Sequence, residues 1–183
     1  MGWKDFFRKK QPPGPNPLAD LTLSKLKLGY FLDWDLKTWE VTSCSYYDWG
    51  AGDRTNEWQL KTSDDTVYLE QEVDDDVYWC VSRKITFSDL GKDIKAHILA
   101  HEDPPEEIFF ETVTYVLESS GGGRFYKDGT GSGSELIKWD YEDESGKNFI
   151  TIEQWGENNF EASAGFEVEE YQFSNILPRD LEK

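Results

Sequence analysis

Tryptophan and carboxylate side chains are the residues of this sequence best suited to binding chemistry. Trp49 and Trp155 each precede a glycine and are expected in turns, while Glu72 and Glu153 lie near the ends of alternating apolar and polar segments. An aromatic face attracts an organic cation by roughly 0.5–2 kcal/mol, and a carboxylate adds Coulomb attraction. These four residues are the candidate binding residues, and a polyamine or a basic protein segment is the ligand they suit. Aromatic faces suit sugar stacking too.

Metal and nucleophilic chemistry have weaker support in the sequence. His97 and His101 are spaced as i and i+4 and could form half of a metal site on a helix, but the sequence contains no other histidine. We therefore expect no metal and no cofactor. Cys44 and Cys80 fall inside expected strands without a nearby histidine, which is typical of inert buried thiols.

Acid–base catalysis would need two carboxylates in one pocket with pKa values pushed apart. Glu72 and Glu153 qualify only because an internal repeat places both after matching strands, where they could face each other across a pseudo-dyad. A solvated strand face is the simpler interpretation. The sequence thus favours no catalytic residue, and a carboxylate-based enzyme stays as a second alternative.

Charge narrows the class of partner. The 183 residues carry 37 Asp and Glu against 19 Lys and Arg, a formal net charge of −18, which repels phosphate backbones and argues against nucleic acid as a partner. The 11 Phe, 9 Tyr and 8 Trp are large apolar side chains that disordered acidic chains lack. The chain is expected to fold, as one fold or one duplicated fold.

The N-terminus differs from the rest of the chain. Residues 1–17 carry a net charge of +3 and end in QPPGPNP, whose four prolines forbid regular structure. Trp3, Phe6 and Phe7 beside basic residues could make weak contact with an anionic membrane surface, although a disordered tail is the simpler interpretation. No secretory signal or membrane-length apolar run is present, so we expect a cytoplasmic protein, at most membrane-peripheral.

Strand patterns dominate from Leu26 onward. Short apolar or aromatic runs are interrupted every 8 to 12 residues by Gly, Asp, Asn and Ser, as in consecutive antiparallel strands. Only residues 93–101 could form a helix, and residues 119–134, with six glycines, are expected to form a long mobile hairpin loop. The expected strands are TWEVTSCSYY, EWQLKT, TVYLEQEV, VYWCVSRKITF, EIFFETVTYVLE, ELIKWDY, NFITIEQW and FEVEEYQF.

The chain also repeats itself at an interval of about 81 residues. We therefore predict an all-β fold of two tandem antiparallel β-meander repeats packed as one pseudo-twofold globule. Its parts are a basic, Pro-rich tail (1–23), a first repeat (24–91), an acidic linker (92–107) and a second repeat (108–179). The correspondence matches Trp58 with Trp139, Tyr68 with Phe149, Leu69 with Ile150, and Glu72 with Glu153.

An ordered series of short motifs runs from Leu26 to Leu177: LKLG, EWQL and YLEQE in the first half, and KWDYEDESGKNFITIEQW with Gly165 after it in the second. This series resembles the bacterial family called domain of unknown function 4178. Two features depart from the pattern: Glu111 stands where glycine is expected, and the glycine-rich segment is long. The resemblance implies a cytoplasmic accessory protein, often encoded near membrane-stress and polyamine-related genes, and brings no catalytic residues.

The expected function follows from these observations. The main hypothesis is a non-enzymatic cytoplasmic accessory or binding protein that acts through contacts with a protein partner, whose identity the sequence leaves open. The first alternative is a polycation-binding module that holds a polyamine in an acidic groove lined by Trp49, Glu72, Glu153 and Trp155. Because the groove would attract its ligand electrostatically, binding is expected to be sensitive to salt.

Overall fold

The structure is a computed structural model that describes residues 21–179. The predictions for the basic tail up to residue 20, including membrane contact through Trp3, Phe6 and Phe7, lie outside these residues. One α-helix is present, α1 (Ile94–His101), where the sequence allowed one. The strands are β1 (Phe31–Trp34), β2 (Lys37–Gly50), β3 (Asp53–Lys61), β4 (Thr66–Val73), β5 (Val77–Ile85), β6 (Glu107–Phe110), β7 (Val113–Tyr126), β8 (Ser134–Glu142), β9 (Asn148–Gln154), β10 (Phe160–Val168) and β11 (Ser174–Leu177).

The prediction of an all-β protein is confirmed: the eleven strands form one antiparallel sheet in the order β11-β1-β2-β3-β4-β5-β10-β9-β8-β7-β6. A further pairing joins β2 to β7, so the eight strands from β2 through β5 and β10 to β7 close into a ring. Strands β1 and β11 extend the sheet beside β2, and β6 extends it beside β7.

The two halves contribute β1–β5 and β6–β10, and within each half the strands pair in chain order. The tandem repeat stays a prediction, but its sequence correspondence needs one change. The ladder pairs Trp58 with Leu69, and Trp139 with Ile152 rather than with Ile150. If Trp58 corresponds to Trp139, Leu69 corresponds to Ile152, so the alignment of β4 with β9 predicted from the sequence is displaced by two residues.

The glycine-rich segment is not the mobile loop that its composition predicts. Gly121, Gly122 and Gly123 lie inside β7 and pair with β8. A Cβ atom on Gly123 would lie 2.5 Å from Cε3 of Trp49 and 2.9 Å from the carbonyl oxygen of Asp48. The glycines therefore let two strands and an indole ring approach closely, which is a different use of glycine from loop mobility.

Two further segments have a different secondary structure from the one that the sequence predicts. Residues 107–118, predicted as one strand, form β6 and β7 joined by a tight turn at Glu111, which has a φ of +54°. This left-handed conformation favours glycine, which explains why the resemblance led us to expect glycine there. Residues 92–107, predicted as a linker, contain α1.

Two hydrophobic clusters lie on the outer face of the ring, one for each half. The first is covered by Leu23, Leu26, Leu32, Trp34 and Phe173. The second is covered by the segment that contains Leu90 and by α1 and β6, through Ile94, Ile98 and Ile108. Since side chains alternate along a strand, the opposite side chains of the same strands face the interior of the ring. That interior is polar.

Gly165 provides a test of this packing. A Cβ atom there would lie 2.6 Å from the carbonyl oxygen of Val81 and would also clash with the ring of Phe149. We expect Gly165→Ala to destabilise the protein by about 1–3 kcal/mol, which lowers its Tm by several degrees.

Gly121→Ala is the matched control, because a Cβ atom at Gly121 meets no atom within 4 Å. Differential scanning calorimetry of both variants measures the effect. Equal Tm values for the two variants would contradict the predicted close packing at Gly165.

Candidate functional site

Six titratable side chains meet inside the ring, and we call them the axial cluster. Each comes from a different strand: β2, β3, β4, β5, β8 and β9. They occupy inward-facing positions because their chain neighbours, among them Trp58, Leu69 and Ile152, face the outer hydrophobic clusters. The axial cluster consists of Tyr47, Glu57, Glu70, Lys84, Lys138 and Glu153.

Two ion pairs span the ring interior. Nζ of Lys84 lies 2.7 Å from Oε2 of Glu153, which is only 2% exposed. Nζ of Lys138, on β8, lies 3.8 Å from Oε2 of Glu70, on the opposite strand β4. Burial alone would lower the lysine pKa values, but the neighbouring carboxylates raise both well above the ordinary value. Both lysines are therefore charged.

Glu57 is the axial carboxyl that no lysine or arginine of residues 21–179 pairs with. The hydroxyl oxygen of Tyr47 lies 2.7 Å from Glu153 and 3.3 Å from Glu57. One hydroxyl hydrogen serves one acceptor at a time, and the contact of Tyr47 with Glu153 is the shorter of the two. Burial, then repulsion from Glu70 and Glu153, raises the pKa of Glu57 to about 8, which favours its protonated form at neutral pH.

A cleft of about 380 Å³ reaches the axial cluster from one end of the ring, and we call it the acidic cleft. Five carboxyl groups line it against two lysines. Tyr78 lies beside Glu72 across strands β4 and β5, and it is 55% exposed. The lining includes Thr55, Glu70, Glu72, Tyr78, Cys80, Lys138, Asp140, Glu142, Lys147, Phe149 and Glu167.

The acidic cleft carries uncompensated negative charge. Lys138 is held by Glu70 and by Asp140, the latter at 3.4 Å. Among residues 21–179, no lysine or arginine lies within 4 Å of the carboxylates of Glu72, Glu142 or Glu167. Burial and then repulsion from neighbouring carboxylates raise the pKa of Glu142. A cation in the cleft would relieve this repulsion.

A second cavity, of about 540 Å³, reaches the axial cluster from the other end of the ring, and we call it the polar cavity. Along β3, Thr55 faces the acidic cleft, whereas Glu57 and Gln59 face the polar cavity, so the two open in opposite directions. Its lining includes Ser43, Ser45, Tyr47, Glu57, Gln59, Tyr68, Lys84, Phe125, Lys127, Ser134, Trp155, Asn159 and Glu161.

The structure does not bring the four predicted binding residues into one groove. Trp49 and Trp155 together line an open surface depression, and Trp49 and Glu72 share a recess that adjoins the acidic cleft. Glu153 is buried in the axial cluster, and Trp155 borders the polar cavity. Glu72 and Glu153 therefore do not form a matching pair; the counterpart of Glu153 in the first half is Glu70.

Trp49 has a structural role. Its ring stacks on Tyr47, with 5.4 Å between ring centroids and 2° between planes, and its Nε1 donates to Oγ1 of Thr55 at 2.9 Å. Gly123 meets it from the neighbouring strand β7. Tyr78 therefore supplies the exposed aromatic ring of the acidic cleft.

The sequence did not single out the other members of the two sites, among them Tyr47, Glu57, Glu70, Tyr78, Lys84 and Lys138. The alternation in TVYLEQEV and its neighbouring strands places these residues opposite the apolar positions. That alternation alone is typical of a strand with one face exposed to solvent. This polar face is turned inward only because the strands close into a ring. The alternation therefore predicts which residues share a face, but it does not predict that the face is enclosed.

The histidines and cysteines that the sequence offered as candidates are not members of the axial cluster. His97 and His101 stack with 4.4 Å between ring centroids, and residues 21–179 contain no cluster of three or more side chains arranged to hold a metal ion. Cys44 and Cys80 are free, and burial raises the pKa of both thiols. No helix in the described range could cross a bilayer.

The protonated state of Glu57 predicts a pH dependence of stability. Its pKa is raised from 4.5 to about 8 in the folded state, so between these values the folded chain holds a proton that the unfolded chain releases. Stability contributed by this group therefore falls as pH rises through that window, by up to about 1.4 kcal/mol per pH unit. Glu57→Gln should match the native protein near pH 5 and exceed its stability at pH 8.

Urea unfolding at pH 5 and pH 8 measures this difference. Glu157→Gln is the control, since it makes the same Glu-to-Gln change at an exposed position outside the axial cluster. Parallel pH profiles for the native protein and Glu57→Gln would contradict a protonated Glu57.

Comparison with known proteins places the chain in a family. An uncharacterized protein of Aquifex aeolicus is 28% identical over 176 residues, which cover 96% of this chain and 96% of that protein. No solved structure matches the chain. The model of the family described as "Domain of unknown function (DUF4178)" matches residues 27–170, which include every strand that forms the ring. The chain therefore belongs to the DUF4178 family.

Proposed function

We propose that this protein is a non-enzymatic binding protein that holds an organic polycation in the acidic cleft. The observation that carries the proposal is a group of three carboxylates, Glu72, Glu142 and Glu167, that have no basic partner among residues 21–179 and surround the exposed ring of Tyr78. Carboxylates attract ammonium groups, and an exposed aromatic ring adds about 0.5–1 kcal/mol through cation–π attraction. The cleft thus combines the two features that the sequence had suggested for Trp49 and Trp155.

The spacing of these carboxylates favours an elongated cation over a metal ion. A metal ion needs several ligand atoms that converge on one point, and residues 21–179 provide no such cluster. The cleft carboxylates instead come from β4, β8 and β10 and are distributed along its walls. A linear polyamine has charges spaced along a flexible chain, so it can pair with several of them at once.

A binding role is also supported by how the axial carboxylates are engaged. Acid–base catalysis by a carboxylate pair needs two groups free to exchange protons with a substrate. Glu153 is held by Lys84 and Tyr47, and Glu70 is held by Lys138. Glu57 alone has no ionic partner among the described residues, so we rank the carboxylate-based enzyme below a binding protein.

The same cleft fits the accessory role inferred from the sequence. A basic segment of a partner protein carries ammonium and guanidinium groups that resemble those of a polyamine in charge and spacing. We place the protein in the cytoplasm, which the two free cysteines support, because free thiols are typical of reducing compartments. The polyamine is the ligand we propose first, and a basic protein segment is the second.

Calorimetric titration with spermidine at low and at physiological ionic strength tests the proposal. We expect binding at low salt and an affinity about tenfold weaker at higher salt, because the Debye length falls to about 8 Å. An oligolysine peptide is titrated in parallel. Heat from the peptide alone would identify a basic protein segment as the ligand, and no heat from either probe would contradict the proposal.

Variants locate the binding site. Glu72→Gln combined with Glu142→Gln should weaken spermidine binding by about tenfold or more through lost Coulomb attraction. Tyr78→Ala should weaken it about three- to fivefold, because the cation–π contact is lost. Glu157→Gln, which removes one carboxylate outside the cleft, should leave the affinity unchanged. A loss in Glu157→Gln as large as in the two cleft variants would show an effect that does not depend on position and would contradict a specific site.

A further inference from the structure

The polar cavity differs in charge from the acidic cleft at the other end of the ring. Lys84 lies 2.7 Å from Glu153 and 3.0 Å from Glu161. Lys127 is a second lysine of the lining, so two lysines face two carboxylates. Glu57 lines the cavity, and burial together with the carboxylates of Glu70 and Glu153 raises its pKa, which favours its neutral form. In a chain with a net charge of −18, this cavity is close to neutral. Its charge balance selects for an uncharged ligand.

Hydrogen-bonding groups line the polar cavity on several sides. Tyr68 and Gln59 meet on its wall, where Nε2 of Gln59 donates to the Tyr68 hydroxyl at 3.0 Å. Ser134 and Asn159 come from the second half of the chain, and the Glu57 carboxyl is 94% buried at the inner end. Hydroxyl, amide and neutral carboxyl groups both donate and accept hydrogen bonds. A ligand with many hydroxyl groups matches such a lining.

Aromatic side chains complete the wall of the polar cavity. Phe125 and Trp155 meet edge to face, with 5.6 Å between ring centroids and 75° between planes. The buried Nε1 of Trp155 has no hydrogen-bond partner in the described part of the chain. A buried donor without a partner costs about 1–3 kcal/mol, so this indole is kept for its position in the wall and not for its own hydrogen bonding.

We propose that the polar cavity binds a neutral polyhydroxylated ligand of the size of a monosaccharide or disaccharide. Its volume of about 540 Å³ lies within the range of small-molecule sites. The hydroxyl groups of such a ligand pair with the polar lining, and its apolar C–H face packs against the rings of Phe125 and Trp155. This site is distinct from the acidic cleft and does not depend on polycation binding there.

Saturation-transfer difference NMR on the full-length protein tests the site with maltose, cellobiose and N,N′-diacetylchitobiose as probes. We expect a difference spectrum from at least one disaccharide at millimolar concentration. The absence of any signal from all three probes would overturn the proposal.

Two tyrosines provide a matched pair of variants. Tyr68 lies in the polar cavity and Tyr78 in the acidic cleft, and each Tyr→Phe change removes one hydroxyl group. Tyr68→Phe should weaken disaccharide binding about fivefold through the loss of a hydrogen bond, and Trp155→Phe should weaken it through the loss of ring surface, while Tyr78→Phe leaves it unchanged.

The spermidine titration separates the two proposals. Tyr68→Phe should bind spermidine like the native protein, because Tyr68 does not line the acidic cleft. Disaccharide binding that survives both Tyr68→Phe and Trp155→Phe would place the ligand elsewhere and overturn this assignment.

Discussion

The pairing of charges across the ring interior is the interaction on which the rest of the structure depends. When eight strands close into a ring, one side chain of every two is turned inward, whatever its polarity. Here the inward side chains include three glutamates and two lysines, and unpaired buried charges are costly. The pairs Lys138–Glu70 and Lys84–Glu153 satisfy four of them. The fifth, Glu57, is accommodated by holding a proton.

These pairs also connect parts of the chain that are distant in sequence. Glu70 belongs to the first half and Lys138 to the second, and the same holds for Lys84 and Glu153. Each half supplies most of one outer hydrophobic cluster, and Val168 and Phe173 of the second half pack into the first cluster, so the halves meet through apolar contacts, polar contacts and strand pairing. Loss of one partner would leave its counterpart charged in a confined interior, so the axial cluster links closure of the ring to the protonation of its members.

The axial cluster also separates two environments. On one side, carboxylates outnumber lysines and favour a cation. On the other side, Lys84 is shared by two glutamates and the cavity is close to neutral. At the β2–β7 seam, Tyr46 stacks on Tyr126 with 4.7 Å between ring centroids, and Gly123 admits Trp49. The stacked tyrosines and the close approach of Trp49 to Gly123 thus hold β2 against β7. This contact closes the ring, and the closed ring keeps the two cavities apart.

Local sequence indicated most of the strands and the face on which their side chains lie, because alternation in segments such as TVYLEQEV and NFITIEQW is a property of neighbouring residues. It did not indicate β1, β11 or most of β10, and it left residues 93–101 undecided between helix and strand. Only the tertiary structure decided which face is enclosed. The pairing of Tyr47 with Phe125 joins residues far apart in the chain, and no local pattern specifies it. Because the ring closes, Glu153 is buried although the sequence had suggested an exposed position. Gly123 lies in a strand and not in a loop, and Tyr78, not Trp49, provides the exposed aromatic ring. Which carboxylate pairs with which lysine depends on distances through space. The sequence therefore indicated the residue types of the site, and the tertiary structure determined which residues of those types form it.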